Sequence, residues 1–369
     1  MSNTHPYRSQ GERAQEIEEM GLESPEVIQT SLAAAMTLGL KGGIFYRDAK
    51  LTCLNLLLTY QEGCQGRCGY CGLEQKRSEK TKGTTFIRVA WPTYSFDLIL
   101  ERTKQYQNSL KRICLSMITH KKAFEDSLNL VSRLHREVNL PVSILCAPTL
   151  IRKTEDLQKL KEAGADQLGV SIDTATAEIF QKYRGKGVRG PHRWDHYWEI
   201  LRKGVAVFGQ GQVSVHLIVG LGESEQEMVR TFQQVHDLGA VAHLFSFYPE
   251  PGSALAEKAA PSIGQYRRMQ LARYLIMNDL ASAKTMHYNS YEQVYDFGMD
   301  VEPFVASGQP FRTSGCPGKD GETACNRPYG NERPGITLAN YPFIPNMRDV
   351  KQIRDELYAG LIEFREKKE

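Results

Sequence analysis

Three cysteines stand at C-x3-C-x2-C spacing in Cys64-Gln-Gly-Arg-Cys68-Gly-Tyr-Cys71, directly after the apolar run Leu54–Tyr60. Thiolates held this close are ligands for an iron–sulfur cluster or for zinc. A cubane 4Fe–4S cluster bound by three cysteines keeps one iron open to a ligand from outside the protein. A structural zinc site needs a fourth protein ligand, and none lies within a few residues, so His120 or a distant cysteine would have to supply it. Gly63, Gly66 and Gly69 let the loop wrap closely, because glycine accepts backbone angles that other residues resist. The spacing favours a cluster.

Cys316 and Cys325 form a second candidate pair in Gly315-Cys-Pro-Gly-Lys-Asp-Gly-Glu-Thr-Ala-Cys-Asn-Arg327, a polar segment in which hydrophobic burial explains little. An exposed thiol is an oxidation liability, so ligation is the better reason for this pair. Cys114 and Cys146 lie inside or at the end of apolar strands, where a free cysteine also packs as a small hydrophobe. The expectation is an auxiliary Fe–S cluster on Cys316 and Cys325, completed by Cys114, Cys146 or both. Cys53 opens the first strand, at the end away from the reactive centre, and reads as core.

The elements that must carry these residues alternate. The run Leu54–Tyr60 reads as a buried strand, and further strands are expected at Lys111–Met117, Val142–Cys146, Gln167–Ile172, Val213–Val219 and Ala242–Tyr248. Helical periods fall between and after them, at Tyr94–Gln107, Phe124–Val138, Thr154–Ala163, Thr174–Lys182, Asp195–Phe208, Glu225–Leu238 and Ile263–Leu280. That alternation specifies α/β architecture with a parallel sheet and helices outside. About six βα units are too few for a complete eight-unit barrel. Residues 1–50 read as an N-terminal helical extension, with helices at Gln10–Met20 and Pro25–Leu38, the latter capped by Ser24. Lys284–Tyr288 reads as a last strand. Residues 51–290 form the barrel, and residues 291–369 form a C-terminal extension ending in an amphipathic helix over Arg348–Glu366 with Leu357, Leu361 and Ile362 inward.

Reactive residues of parallel α/β proteins lie at the carboxyl ends of strands. Asp173, ending the fourth strand, is either a hydrogen-bond acceptor for a bound ligand or an ordinary helix cap. Gly220 and Gly222 either admit a flat ligand or make a strand-to-helix turn. Pro249–Gly252 reads as a rim loop or a plain turn. A net charge of +3 over 369 residues, with 24% charged and 41% hydrophobic residues, argues for no nucleic-acid partner. Without an apolar run of transmembrane length, no membrane partner is expected and a cytoplasmic location is.

The cysteine motif, with aromatic Tyr70 before its last cysteine and the whole placed after a first strand, resembles the radical S-adenosylmethionine (SAM) superfamily over Leu51–Tyr288. The resemblance implies a partial (β/α)6 TIM-like barrel in which a 4Fe–4S cluster on Cys64, Cys68 and Cys71 binds the amino and carboxylate groups of SAM. Cleavage of SAM then yields a 5′-deoxyadenosyl radical that abstracts hydrogen from an unactivated carbon. Within the superfamily, Ser171–Thr174, the segment from Arg193 through Gly209, and Val219-Gly220-Leu221-Gly222-Glu223 resemble the biotin synthase branch. That likeness implies SAM contacts from Tyr70, Asp173, Arg193, Gly220 and Gly222. It also places Cys114 and Cys146 on two ligand positions of the branch's sulfur-donating cluster, with Ser214 on the third and His287 near the fourth. The C-terminal loop through Tyr329–Pro334 resembles a subunit of the two-subunit, archaeal-type lipoyl synthases. The implied activity is sulfur insertion into an octanoyl chain on a lipoyl-carrier domain, with a second radical SAM subunit and an external electron donor as partners. The alternatives are biotin-synthase-like sulfur insertion, or a carbon-skeleton rearrangement of a small free substrate.

Overall fold

The computed structural model describes residues 21–73, 89–327 and 338–362. Six strands run parallel in one sheet: β2 (Cys53–Leu57), β4 (Arg112–Ser116), β5 (Val142–Cys146), β6 (Ala165–Asp173), β7 (Val213–Val219) and β8 (Val241–Ser246). Two short strands, β1 (Val27–Thr30) and β3 (Thr93–Ser95), extend the β2 edge antiparallel, giving the order β3-β1-β2-β4-β5-β6-β7-β8. The parallel array is thus a partial (β/α)6 barrel with an antiparallel edge. Its strands β2, β4 and β5 are buried along their whole length, as expected where side chains fill one face and helices cover the other.

The outer layer consists of α2 (Phe96–Tyr106), α3 (Ala123–Glu137), α4 (Thr154–Glu162), α5 (Ala177–Tyr183), α6 (Trp194–Phe208), α7 (Glu225–Asp237) and α8 (Ile263–Met277). In α3 the buried residues Ala123, Ser127, Leu130, Val131 and Leu134 form one stripe at helical spacing. Helix starts are closed by side chains: Ser95 and Thr176 accept from backbone N–H groups, and Ser224 forms a reciprocal capping box with Glu227. Among the described residues no helix is long and apolar enough to cross a membrane.

Three expectations change at the ends of the chain. The expected helix over Pro25–Leu38 is a strand, β1, followed by a short helix α1 (Leu32–Thr37) capped by Ser31 rather than Ser24. Val27, Ile28 and Thr30 are β-branched and fully buried between β2 and β3, so pairing on both sides overrides the helical reading. The expected helix over Gln10–Met20 lies outside the described residues. Tyr288 belongs to no barrel strand, since β9 (His287–Tyr288) pairs only with β10 (Val294–Asp296). After α9 (Glu302–Ser307), the final helix α10 (Met347–Leu357) stops at Leu357, burying Val350 and Ile353 with Leu357 while Ile362 lies exposed beyond it.

The C-terminal extension is clamped onto the barrel through α8, which is buried nearly all round. Arg267 donates to Glu356 and to the carbonyls of Leu338 and Ala339. Arg268 pairs with Glu225 of α7 at 2.6 Å and donates to the carbonyls of Leu357 and Ala359. A Cβ at Gly264 would lie 2.2 Å from the Ala359 carbonyl oxygen, so only glycine permits the approach. Removing one partner of a buried pair leaves an uncompensated charge, whereas a surface pair contributes little. Glu225→Ala is therefore expected to lower unfolding free energy by about 3–5 kcal/mol, and Arg354→Ala, which breaks the exposed pair with Glu302, by under about 1 kcal/mol, both read from urea midpoints.

Candidate active site

The loop after β2 carries Cys64, Cys68 and Cys71 to the carboxyl ends of the strands, where all three line one cavity of about 190 Å³. The turn is made with left-handed backbone at Gly63 and Arg67. At Gly66 close approach matters more than backbone angle: a Cβ would stand 3.0 Å from His192 Nε2 and 3.2 Å from Cys64 Sγ. Gly69, by contrast, has room for a side chain. The Gly66 N–H donates to Cys64 Sγ and the Leu73 N–H to Cys71 Sγ, each at 3.4 Å. His192 Nε2 lies 3.5 Å from Cys68 Sγ. Burial pushes the thiol of Cys68 up to about 11 and raises those of Cys64 and Cys71 as well.

Among the described residues no group of three or more histidine, cysteine, aspartate or glutamate side chains is arranged to hold a single metal ion. Three thiols on one cavity wall fit a polynuclear cluster, in which each binds a different iron. His120 does not face them: it stacks on Tyr60 at 3.9 Å, with its Nε2 3.4 Å from Glu62. The donor set and the N–H groups aimed at its sulfurs therefore fit a 4Fe–4S cluster held by Cys64, Cys68 and Cys71.

A polar wall stands beside the thiols. Asp173 ends β6 with φ 67°, a left-handed conformation that a non-glycine residue adopts at a cost. It is not a helix cap, because Thr176 caps α5. Its carboxylate accepts from the Tyr70 hydroxyl at 2.6 Å and pairs with Arg184 at 3.0 Å. Arg184 also donates to the carbonyls of Ser171 and Ile172 and to the Tyr197 hydroxyl. Burial opposes its charge, and the acidic groups around it (Tyr197, Tyr70, Asp173 and Cys68) outweigh that opposition. The Tyr197 hydroxyl lies 2.6 Å from His192 Nδ1, and burial with the Arg184 charge holds this histidine down at about 2, so it is a neutral ring.

The expected SAM contacts divide accordingly. Tyr70 and Asp173 line the cavity and touch each other. Arg193 is exposed in front of α6 and does not line it; Arg184 of the same basic connection does. Gly220 and Gly222 are also outside the lining. Their N–H groups donate to the buried carboxylate of Glu223 at 2.6 and 3.0 Å, and a Cβ on Gly220 would meet Pro261. From Pro249–Gly252, Glu250 does reach the cavity.

The remaining cysteines sort differently from the expectation. Cys146 lines the active-site cavity, with its thiol pushed up to about 12 by burial. Cys114, Cys316 and Cys325 meet in one buried group, and its fourth member is Cys53 rather than Cys146. Register explains the exchange: Cys53 lies at the amino end of β2 opposite Arg112, two residues before Cys114 on β4, whereas Cys146 lies at the carboxyl end of β5. Ser214 stands beside this group, and His287 is exposed on β9. Tyr329–Pro334 lies outside the described residues.

Residues 58–235 match the family profile described as the Radical SAM superfamily. A biotin synthase from Lysinibacillus sphaericus is 24% identical over 194 residues, which cover 51% of this chain and 52% of that protein, so the match spans about half the relative's length. Among solved structures, methylornithine synthase has 16% identity and a TM-score of 0.45, covering 80% of this chain and 91% of its own. A radical S-adenosylmethionine methyltransferase from Kitasatospora setae, solved with cobalamin and a 4Fe–4S cluster, has 15% identity and a TM-score of 0.39, covering 68% of this chain and 44% of its own.

Charge-assisted hydrogen bonds contribute about 1.5–3 kcal/mol, which corresponds to about a tenfold to hundredfold change in affinity. Asp173→Asn is accordingly expected to weaken SAM binding to the reconstituted protein by at least about tenfold, while Arg193→Ala stays within about twofold of the unaltered protein, both read by equilibrium titration.

Proposed function

We propose that this radical SAM enzyme inserts sulfur into an unactivated C–H bond of an alkyl chain, as a lipoyl synthase subunit does with a protein-bound octanoyl group. When bound, the cluster and SAM supply a 5′-deoxyadenosyl radical that takes a hydrogen atom from an unactivated carbon. The observation that carries the reading is the mixed lining of the cavity. Cys64, Cys68, Cys71, Tyr70, Asp173 and Arg184 are its polar part beside the cysteine loop, while Leu57, Met117, Ile118, Leu145, Ile218 and Phe247 add apolar surface.

The polar part is matched to a zwitterionic cofactor carrying ribose hydroxyls. Asp173 is an acceptor held in place by Tyr70 and Arg184, and a fixed acceptor orients a hydroxyl without reorganisation. The apolar residues of the lining suit a hydrocarbon segment and exclude the water that would support side reactions. Each carbon–sulfur bond formed replaces one carbon–hydrogen bond. The hydrogen leaves as 5′-deoxyadenosine, and sulfur together with an acceptor for the odd electron must come from a second centre of iron and sulfide. The octanoyl chain would arrive on a lysine of a lipoyl-carrier domain, a second radical SAM subunit would complete the paired insertion, and an external donor would supply the electron for SAM.

Reduced, anaerobically reconstituted protein incubated with SAM and an octanoylated carrier peptide is expected to release 5′-deoxyadenosine and a thiolated peptide, both read by mass. Release of 5′-deoxyadenosine that responds to a small free substrate, with the peptide unchanged, would favour the biotin-synthase-like or rearrangement reading instead.

A further inference from the structure

We infer that Cys53, Cys114, Cys316 and Cys325 hold a second iron–sulfur cluster at the amino-terminal end of the barrel, opposite the SAM cavity. This deepens the sulfur-insertion reading, and only the use of the cluster as sulfur source rests on that reading. The four thiols come from three separate stretches of chain and are all buried, and the Cys325 thiol contacts those of both Cys53 and Cys114. They do not surround a point as ligands of a single ion do. Four sulfurs, each binding a different iron of a cubane, is the arrangement their number suits.

The loop that supplies two of them is built to deliver them. The N–H groups of Ala324 and Cys325 both donate to the Cys316 carbonyl at 3.0 Å, folding the two cysteines onto one another. A Cβ on Gly315 would fall 1.8 Å from the Cys325 carbonyl oxygen, so this turn tolerates only glycine there. The folded loop is fastened under the barrel: Thr52 Oγ1 donates to the Ala324 carbonyl at 2.7 Å, Asn326 donates to the Lys50 carbonyl at 2.6 Å, and Arg112 Nε donates to the Pro317 carbonyl at 2.5 Å.

Simple packing of small apolar residues does not account for the surroundings. A cluster bound by four thiolates is an anion, and two buried guanidinium groups flank the thiols. Arg112, paired with Asp166, stands opposite Cys53 in register and donates to the Pro317 carbonyl beside Cys316, and Arg327 lines the pocket with Cys114, Cys316 and Cys325. The Ser214 hydroxyl faces Cys316. His243, 5% exposed, lines the same pocket with a buried Nδ1 that has no partner among the described residues. An unsatisfied nitrogen in a pocket lined by Cys114, Cys316, Cys325 and Arg327 is costly in a plain core and useful beside an anionic cofactor. Leu145, His216, Phe245 and Arg327 line both this pocket and the SAM cavity, so a single layer of side chains separates the two centres.

The test is the metal content of full-length protein after anaerobic reconstitution, which requires neither SAM cleavage nor product. The unaltered chain is expected to carry iron and sulfide for two clusters. The Cys64→Ala/Cys68→Ala/Cys71→Ala variant should keep about half of each, and adding Cys53→Ala and Cys325→Ala should bring both to background. Cys146→Ala alone should leave the content unchanged. Should the triple variant fail to fold, Cys53→Ala/Cys325→Ala in the otherwise intact chain serves instead, with an expected loss of about half the iron and sulfide at unchanged circular dichroism. A folded triple variant without iron, one holding zinc and no sulfide, or a folded double variant with undiminished iron would overturn the inference. Failure to form thiolated peptide with both clusters in place would leave the site standing and remove only its assigned use.

Discussion

The buried guanidinium of Arg184 is the interaction on which the active site turns. One side chain joins the end of β6, through the carbonyls of Ser171 and Ile172, to Asp173 and to Tyr197 of α6. Through those partners it fixes Tyr70 in the cysteine loop and His192 beside Cys68. A buried cation without anionic and carbonyl partners would cost several kcal/mol, so the partners and the charge require one another. Asp173 holds a left-handed backbone that an aspartate does not choose freely, and the network around it supplies the constraint. The cysteine loop is thus positioned from outside itself, by residues more than a hundred positions downstream.

A second constraint operates at the other end of the chain. An open sheet of six parallel strands leaves the last helix, α8, with one face against β8 and another without cover. The C-terminal extension supplies the cover, and it is held by arginines rather than by apolar contacts alone: Arg267 and Arg268 spend their donors on carbonyls of the extension and on Glu356 and Glu225. Backbone carbonyls at the end of a helix and in a loop have no regular partners of their own, and buried ones are costly if left unpaired. The same arginines therefore satisfy the extension and fasten it. Between those anchors runs the loop that brings Cys316 and Cys325 under the barrel.

How much of this was legible in the sequence follows from the range of the forces involved. The six parallel strands and their helices appear close to the positions that periodicity specified, because burial on both faces writes itself locally into apolar runs and stripes. The cysteine loop was legible for the same reason, its ligands lying within eight residues. Val27–Thr30 was not, since a short strand inserted between two others is decided by pairing with residues near Leu57 and Tyr94. Arg184 and Arg193 share one basic connection and look alike in sequence; only the fold shows that the first turns inward and the second faces solvent. Cys53 reads as core from its strand position and is fully buried, but no local signal announces the loop from residues 316–325 that packs against it. The signal that could have found the contact is that Cys114 lies two positions after Arg112, the residue that pairs with Cys53 in register.

The amino-terminal face of a barrel ordinarily carries stability, and chemistry gathers at the carboxyl ends of the strands. This chain gathers four buried cysteines on that face, and the C-terminal extension supplies two of them. The two cysteine sets then differ in how they are brought together. Cys64, Cys68 and Cys71 lie within one loop, which Tyr70 joins to Asp173 at the end of β6. Cys53 and Cys114 are close by strand pairing, but Cys316 and Cys325 join them only when the extension has docked. If the proposed sulfur insertion consumes a centre there, that centre has to be rebuilt, and half of its ligand set lies on a loop fastened separately from the barrel strands. A centre that serves every turnover intact benefits from the opposite arrangement, with all ligands in one loop held by a buried charge network. On the proposed sulfur-insertion reading, the division of the cysteines between barrel and extension suits an enzyme that keeps one cluster and spends the other.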